Sequence, residues 1–174
     1  MKTKITSIIA YVLLVVTSIA FAQEKVSVSI LQDVKLATLG DKDRNYSPFT
    51  TDILIRVNMQ GKQQEHGYMI VFPEYEYADI AYGYNRYSAN VGYTFNKLFL
   101  EDLELSASIG YGFITRKKKS NASYGFNGIA SYKLTKNTKI LLNLQYVNRT
   151  DLGELYGKTK LRISGFAGIE INLN

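Results

Sequence analysis

The chain contains a single histidine, His66, and therefore one candidate for activating a nucleophile by the serine–histidine route. Ester chemistry of that kind needs a serine whose proton passes to a histidine that an acid orients. Glu65-His66-Gly67 directly follows a short turn predicted at Gln60–Gln64. No serine lies at a spacing from it that would indicate a catalytic serine–histidine pair. We therefore predict no catalytic residue, and an ordinary position for His66 beside a turn.

Asp41-x-Asp43-x-Asn45 has the alternate spacing of oxygen ligands in a calcium-binding loop. Tyr46 stands where such loops place the tight-turn glycine, and Lys42 and Arg44 reduce the negative charge. The chain has no cysteine, which excludes thiolate metal sites and disulfides. We predict a solvated turn here, with no metal site and no cofactor.

The elements that would carry these residues are strands, as the end of the chain indicates most clearly. Between Lys160 and Leu173, every second residue is apolar or small, and most of the residues between them are polar, charged or glycine. This is the side-chain period of a β-strand that has one apolar face. The apolar set comprises Leu161, Ile163, Gly165, Ala167, Ile169, Ile171 and Leu173.

Similar alternation recurs along the chain and predicts eight strands, of which the third is the least regular. No segment after the first residues has a helical period. The predicted strands are Val26–Leu36, Phe49–Met59, Glu65–Phe72, Arg86–Phe95, Leu103–Thr115, Ser123–Leu134, Lys139–Arg149 and the terminal stretch.

The predicted connections alternate in length. Short turns lie at Gln60–Gln64, Asn96–Asp102 and Thr135–Thr138, and longer loops at Ala37–Pro48, Pro73–Asn85 and Thr150–Lys158, with Arg116–Ala122 as a short exception. An even number of strands with short turns at one rim and long loops at the other is the organisation of bacterial outer-membrane barrels.

The first residues have the pattern of an export signal. Lys2 and Lys4 precede the mostly apolar stretch Ile5–Phe21, and Ala20-Phe21-Ala22 supplies a small-x-small cleavage site. We predict a cleaved signal peptide over residues 1–22 and one domain over residues 23–174, with an uncleaved anchor as the alternative. The net charge of +6 forms no stripe of basic and aromatic residues, so nucleic acid is not predicted as a partner.

Charged residues fall on the face of the predicted strands that would point into a barrel. An eight-stranded barrel is just wide enough to be filled by its own side chains, so these charges are expected to pair and to plug the lumen. The predicted inner charges are Asp33, Lys35, Asp52, Arg56, Arg86, Glu104, Lys133, Arg149, Arg162 and Glu170.

With these features the chain resembles the small eight-stranded outer-membrane barrels of the OmpA/OmpX type. Gly168-x-x-Ile171-x-Leu173 is similar to the C-terminal signal by which such barrels are recognised, although Phe166 and the final Asn174 depart from it. The resemblance implies an all-β, antiparallel, up-and-down transmembrane β-barrel in the bacterial outer membrane, inserted by the barrel-assembly machinery. A soluble exported barrel or sandwich remains the alternative fold, because alternation alone fits both.

Two outer segments are candidates for surface contact. The predicted loop Pro73–Asn85 is rich in tyrosine, which gives rigid contact area and a hydrogen-bonding tip, or alternatively an interfacial girdle. Arg116-Lys117-Lys118-Lys119 would lie at headgroup level, where it would meet lipopolysaccharide phosphates or serve only as a solubilising turn. The candidate surface-binding residues are Glu74, Tyr75, Tyr77, Tyr82 and Tyr84.

The sequence as a whole predicts a non-enzymatic outer-membrane barrel with a side-chain-filled lumen. Its expected role is in membrane integrity or in surface binding through the outer loops, with membrane lipid, lipopolysaccharide and an unidentified extracellular ligand as partners. A lipid A-modifying barrel enzyme and a soluble carrier of apolar ligands are the alternative functions, because fold alone does not fix a task.

Overall fold

The computed structural model describes residues 25–41, 45–80, 82–96, 98, 100–157 and 160–173, so the predicted signal peptide at 1–22 lies outside the described residues. Eight antiparallel strands follow one another around a closed barrel, and the last strand pairs with the first. The strands are β1 (Lys25–Asp33), β2 (Asp52–Gln60), β3 (Gly67–Ala78), β4 (Tyr84–Asn96), β5 (Leu103–Arg116), β6 (Lys119–Lys133), β7 (Thr138–Arg149) and β8 (Lys160–Asn172).

The two ends of the barrel differ. The turn rim holds the start of β1, the end of β8 and the connections that follow β2, β4 and β6. The loop rim holds the other connections, including two short helices, α1 (Val34–Thr38) and α2 (Asp151–Tyr156). Within the described part of the chain, neither helix has the length and apolarity required to cross a membrane.

The polarity of the barrel is the reverse of that of a soluble protein. Along β5, Ile109, Tyr111 and Phe113 point outward and are at least half exposed, whereas Glu104 and Ser108 point inward and are buried. The other strands follow the same rule, which leaves an apolar outer belt around a largely polar lumen. This is the arrangement of a transmembrane β-barrel, and the predicted fold class is confirmed.

Several predicted strand ends are wrong. β1 stops at Asp33 rather than Leu36, because the Asp33 carboxylate accepts a hydrogen bond of 2.7 Å from the Leu36 backbone N–H and so caps α1. β2 starts at Asp52 rather than Phe49, whose φ of 66° is incompatible with a strand.

β3 continues to Ala78, well past the Phe72 at which the sequence predicted its end. Pro73 has no backbone N–H and usually marks a strand boundary, but here it is accommodated within β3. The pairing of β2 with β3 is interrupted between Arg56↔Glu74 and Met59↔Val71, while the pairing of β3 with β4 runs through Pro73↔Ala89. Pro73 therefore coincides only with a local gap in the pairing of β2 with β3, and β3 continues where a loop was predicted.

β5 and β6 also extend further than predicted and form a tight hairpin, so Arg116–Ala122 is not a seven-residue connection. Arg116 pairs with Lys119, and only Lys117 and Lys118 lie between them. Both have positive φ, 49° and 63°, as the central residues of a type I′ turn require. The hairpin therefore presents Lys117 and Lys118 at the tip of the longest strand pair.

Candidate functional site

The centre of the lumen is occupied by an ion-pair cluster of Arg56, Glu74 and Arg86. The Glu74 carboxylate accepts hydrogen bonds of 2.6 Å from Arg56 Nε and from Arg86 Nη1. All three side chains are almost completely inaccessible to solvent. In such surroundings each charge is tolerable only because of its partners, so the three residues are mutually dependent.

Neighbouring side chains complete this central cluster. Gln145 Nε2 and Ser88 Oγ donate to the same Glu74 oxygen, at 3.2 and 3.3 Å. The Arg56 guanidinium also donates to Asn127 and stacks 4.9 Å from the centroid of the Phe72 ring. The cluster thus connects β2, β3, β4, β6 and β7 across the barrel.

A second charge cluster closes the lumen near the turn rim. Glu104 accepts hydrogen bonds from Lys139 Nζ at 2.7 Å and from the Tyr68 hydroxyl at 3.0 Å, and Lys133 Nζ lies 3.1 Å away. Lys139 also lies 3.4 Å from Glu170, which accepts hydrogen bonds from Ser29 and Asn58.

Apolar side chains also pack together inside the lumen, next to these clusters. They are contributed by six strands and include Phe72 and Phe166, both essentially inaccessible to solvent. Cavities of about 40 Å³ at the turn rim and about 220 Å³ at the loop rim lie on the two sides of this packing. The full apolar set is Leu31, Leu54, Tyr68, Ile70, Phe72, Ile129, Leu141 and Phe166.

At the loop rim the buried Tyr84 ring contacts two guanidinium groups. Arg149 stacks 4.2 Å and Arg116 5.4 Å from the ring centroid. Arg149 donates two hydrogen bonds of 2.8 Å to Asp151, the first residue of α2, and Arg116 Nε lies 3.4 Å from the same carboxylate. These contacts hold α2 over the end of the lumen.

The outer surface near the loop rim carries an arc of aromatic rings on β3 to β7. Tyr75 stacks on Tyr87 with ring centroids 4.9 Å apart, and Tyr111 contacts Phe113 edge to face. Rings with a polar tip are the side chains that suit a membrane interface. In contrast, the described outward residues of β8, β1 and β2 include no aromatic ring, only aliphatic, small and polar side chains. The arc comprises Tyr75, Tyr77, Tyr87, Tyr111, Phe113, Tyr124, Phe126 and Tyr146.

The structure separates the five residues predicted to form a tyrosine-rich binding loop. Glu74 and Tyr84 point into the lumen, and Tyr75 and Tyr77 lie on the outer face of β3. Only Tyr82 belongs to the connecting loop, which spans 79–83. The predicted start of the loop is wrong, because residues 73–78 belong to β3 and alternate between the lumen and the outer face.

The predicted basic surface run is also divided. Arg116 points inward against Tyr84 and Asp151 and is buried, so its predicted contact with lipopolysaccharide is wrong. Lys117 and Lys118 are exposed in the hairpin, with Lys117 Nζ 3.4 Å from the centroid of the Tyr82 ring, and Lys119 is exposed at the start of β6.

The predicted inner charges lie in the lumen or at its loop-rim mouth, with one exception. Lys35 is on α1 with its side chain 60% exposed, because the strand to which it was assigned ends before it. Asp33, Asp52, Arg56, Arg86, Glu104 and Arg149 are buried, and Lys133, Arg162 and Glu170 are half-buried.

Four polar residues of the lumen were not predicted from the sequence, namely Tyr68, Glu76, Lys139 and Asp151. Lys139 shares a strand face with Asn143 and Gln145, and Glu76 would have followed from continuing the alternation of β3 past Pro73. Nothing in the sequence signalled Asp151, whose position depends on α2.

The structure also describes His66 and part of the possible calcium loop. His66 lies in the connection after β2 at the turn rim, with its side chain 78% exposed and 3.8 Å from Glu65. Asp41 forms a backbone bridge with Tyr46, whereas Asp43 lies outside the described residues. Among the residues that the structure describes, no group of three or more histidine, cysteine or acidic side chains is arranged to hold a metal ion.

Two solved membrane barrels have a similar fold. The Yersinia pestis outer-membrane protein Ail, solved in a phospholipid bilayer nanodisc, is similar with a TM-score of 0.56 and 14% identity, over 86% of this chain and 99% of that chain. A barrel from the de novo design of transmembrane β-barrels is similar with a TM-score of 0.51 and 11% identity, over 87% of this chain and 99% of that chain. No protein-family model and no curated protein matches the sequence. The predicted resemblance to small eight-stranded outer-membrane barrels is confirmed for the fold.

Proposed function

We propose that this protein is a non-enzymatic barrel of the bacterial outer membrane that conducts no large solutes and acts through its loop rim. The observation that carries the proposal is the buried Arg56–Glu74–Arg86 cluster, which occupies the middle of the lumen. A conducting barrel needs a water-filled path, whereas ion pairs of 2.6 Å between fully buried groups exclude water from this position.

Several features support the outer membrane as the location. The apolar outer belt requires a bilayer, and the fold is similar to that of an outer-membrane protein. The predicted signal peptide at 1–22 would direct export, and the Gly168-x-x-Ile171-x-Leu173 segment would direct insertion by the barrel-assembly machinery. Gly168 and Ile171 lie in β8, which closes the barrel.

The proposed role at the surface is contact with anionic headgroups, in particular lipopolysaccharide phosphates. Lys117, Lys118 and Lys119 lie at the tip of the β5–β6 hairpin, directly above the aromatic arc at Tyr111 and Phe113. Lysines just beyond the apolar belt are positioned to bind phosphate, and the rings below them suit the interface. Such contact would contribute to membrane integrity or to surface binding.

The two alternative functions have less support. A lipid A-modifying enzyme would place its nucleophile and base at the outer end of the barrel, whereas His66 lies at the turn rim. A carrier of apolar ligands would need an apolar cavity inside the barrel, whereas the lumen is filled by ion pairs and packed side chains. An altered lipid A profile in cells lacking the protein would favour the enzyme.

Conductance measurements test the main proposal. We expect the purified barrel in planar lipid bilayers to give no steps of the size that a porin gives under the same conditions, because the central cluster blocks the lumen. Liposome swelling with small sugars should likewise equal that of empty vesicles. Porin-sized steps that increase with protein concentration would overturn the proposal.

A double substitution in the hairpin tests the surface contact. Lys117→Asn with Lys118→Gly removes two charges while keeping the residue pair that type I′ turns prefer. We expect about tenfold weaker binding of purified lipopolysaccharide to the detergent-solubilised barrel at low salt. Surface plasmon resonance would measure the binding, and high salt should remove most of the difference.

The matched control removes two exposed lysines from the opposite end. Lys62→Asn with Lys136→Asn changes the net charge equally, but at the turn rim. If both double variants weaken lipopolysaccharide binding to the same extent, overall charge and not the hairpin is responsible.

A further inference from the structure

The cavity of about 220 Å³ at the loop rim lies between α1, the start of β2, the end of β3 and β8. It is several times larger than the roughly 30 Å³ that one water molecule occupies in the liquid. Leu36 and Ile80 contribute apolar surface. The charged residues that line it are Asp33, Lys35, Asp41, Asp52, Glu76, Arg149 and Arg162.

Most of these charges already have partners. Asp33 caps α1 through the backbone N–H of Leu36. Asp41 lies 3.6 Å from Lys35 and 3.9 Å from Arg162. Arg149 donates both of its short hydrogen bonds to Asp151.

Asp52 and Glu76 are the exceptions. Both are at least 95% buried, and Asp52 Oδ1 and Glu76 Oε2 have no hydrogen-bond partner among the described residues. The nearest cation to Glu76 is Arg86, at 3.9 Å, and Arg86 binds Glu74 more closely at 2.6 Å. Within the described chain, Asp52 has no basic side chain at ion-pair distance. Two carboxylates therefore line the cavity with unused acceptor atoms, which is costly unless a donor occupies it.

We propose that this cavity binds a small soluble primary amine, whose ammonium group donates hydrogen bonds to Asp52 and Glu76. An ammonium carries three donors and one positive charge, which matches two carboxylates that each have an oxygen without a hydrogen-bond partner among the described residues. The apolar wall suits the methylene groups of an alkylamine. An organic cation fits better than a metal ion, because the described acidic groups do not converge as metal ligands do. The site is independent of the proposed lipopolysaccharide contact, since no hairpin lysine lines it.

Titration calorimetry with n-butylamine tests the proposal on the folded protein in a non-ionic maltoside detergent at low salt. We expect saturable binding at one site. Asp52→Asn should weaken it about tenfold or more, because the charge-assisted hydrogen bond is lost, and Glu76→Gln should act in the same direction. Asp79→Asn is the matched control, since Asp79 is exposed at the same rim outside the cavity lining, and it should leave the affinity unchanged.

Ser164→Phe provides a variant that changes no charge, since Ser164 lines the cavity and a larger side chain would fill it. Loss of binding in this variant and in Asp52→Asn, with both still closed barrels by their heat-dependent gel mobility, would support the site. No saturable binding to the wild-type protein, or equal affinity in the wild-type, Asp52→Asn and Ser164→Phe proteins, would overturn it.

Discussion

Replacing Glu74 by alanine is expected to be among the most destabilising single substitutions in this barrel, lowering the free energy of unfolding by about 3–5 kcal/mol. The barrel is destabilised because two buried positive charges lose the carboxylate that they share. Arg56 and Arg86 each donate a 2.6 Å hydrogen bond to Glu74, and both guanidinium groups would be left buried beside an empty space. Urea unfolding of the protein in detergent micelles, followed by circular dichroism, would measure the change.

Glu65→Ala is the control for this substitution, because Glu65 lies in a connection at the turn rim with its side chain 87% exposed. Its effect should stay within about 0.5 kcal/mol. If Glu74→Ala and Glu65→Ala unfold at the same urea concentration, the central cluster does not hold the barrel together, and the basis for a blocked lumen is lost.

The second large effect is expected at Gly168, where β8 closes the barrel against β1. A Cβ atom at this position would overlap the backbone carbonyl oxygen of Ile30, which cannot move without separating the two strands. We expect Gly168→Ala to cost about 1–3 kcal/mol, as overpacking does, and to reduce the fraction that refolds from urea into micelles. Refolding without the assembly machinery isolates this steric effect from any role of Gly168 in recognition.

Gly165 on the same strand is a close control. An added Cβ there meets no atom within 4 Å, so Gly165→Ala should refold to the same extent as the wild-type protein. Equal refolding of both alanine variants, measured by the heat-dependent shift in gel mobility, would show that the tight contact at the closing strands is not limiting.

The alternation of apolar and polar residues was sufficient to predict eight strands and to divide most of their residues between two faces, and the resemblance to small outer-membrane barrels then implied the strand order. It was sufficient because a membrane barrel places nearly every strand residue either in lipid or in the lumen, so side-chain period and environment coincide. At the loop rim the same alternation gave a wrong prediction. Leu36 continues the alternation of β1, but the Asp33 cap turns the chain into α1.

The end of β3 is the most consequential local error. The sequence pattern predicts that this strand ends at Phe72 and so assigns Glu74 to a loop, whereas Glu74 lies at the centre of the lumen. Which buried charges pair with one another also could not be predicted from the sequence. Arg56, Glu74 and Arg86 come together only through the register of three neighbouring strands. The cavity beside Asp52 depends on how α1 packs, which no pattern in the chain specifies.

The aromatic arc on β3 to β7 gives the protein two unlike sides in the plane of the membrane. In a bilayer, lipids next to the arc would meet tyrosine rings and hydroxyls, whereas lipids next to β8, β1 and β2 would meet mainly aliphatic side chains. Rotation of the barrel about its axis therefore changes which lipids, and which neighbouring proteins, face the rings. The pairing of β1 with β8 lies on the aliphatic side, so the aromatic arc and the junction between the first and last strands occupy separate sectors of the circumference.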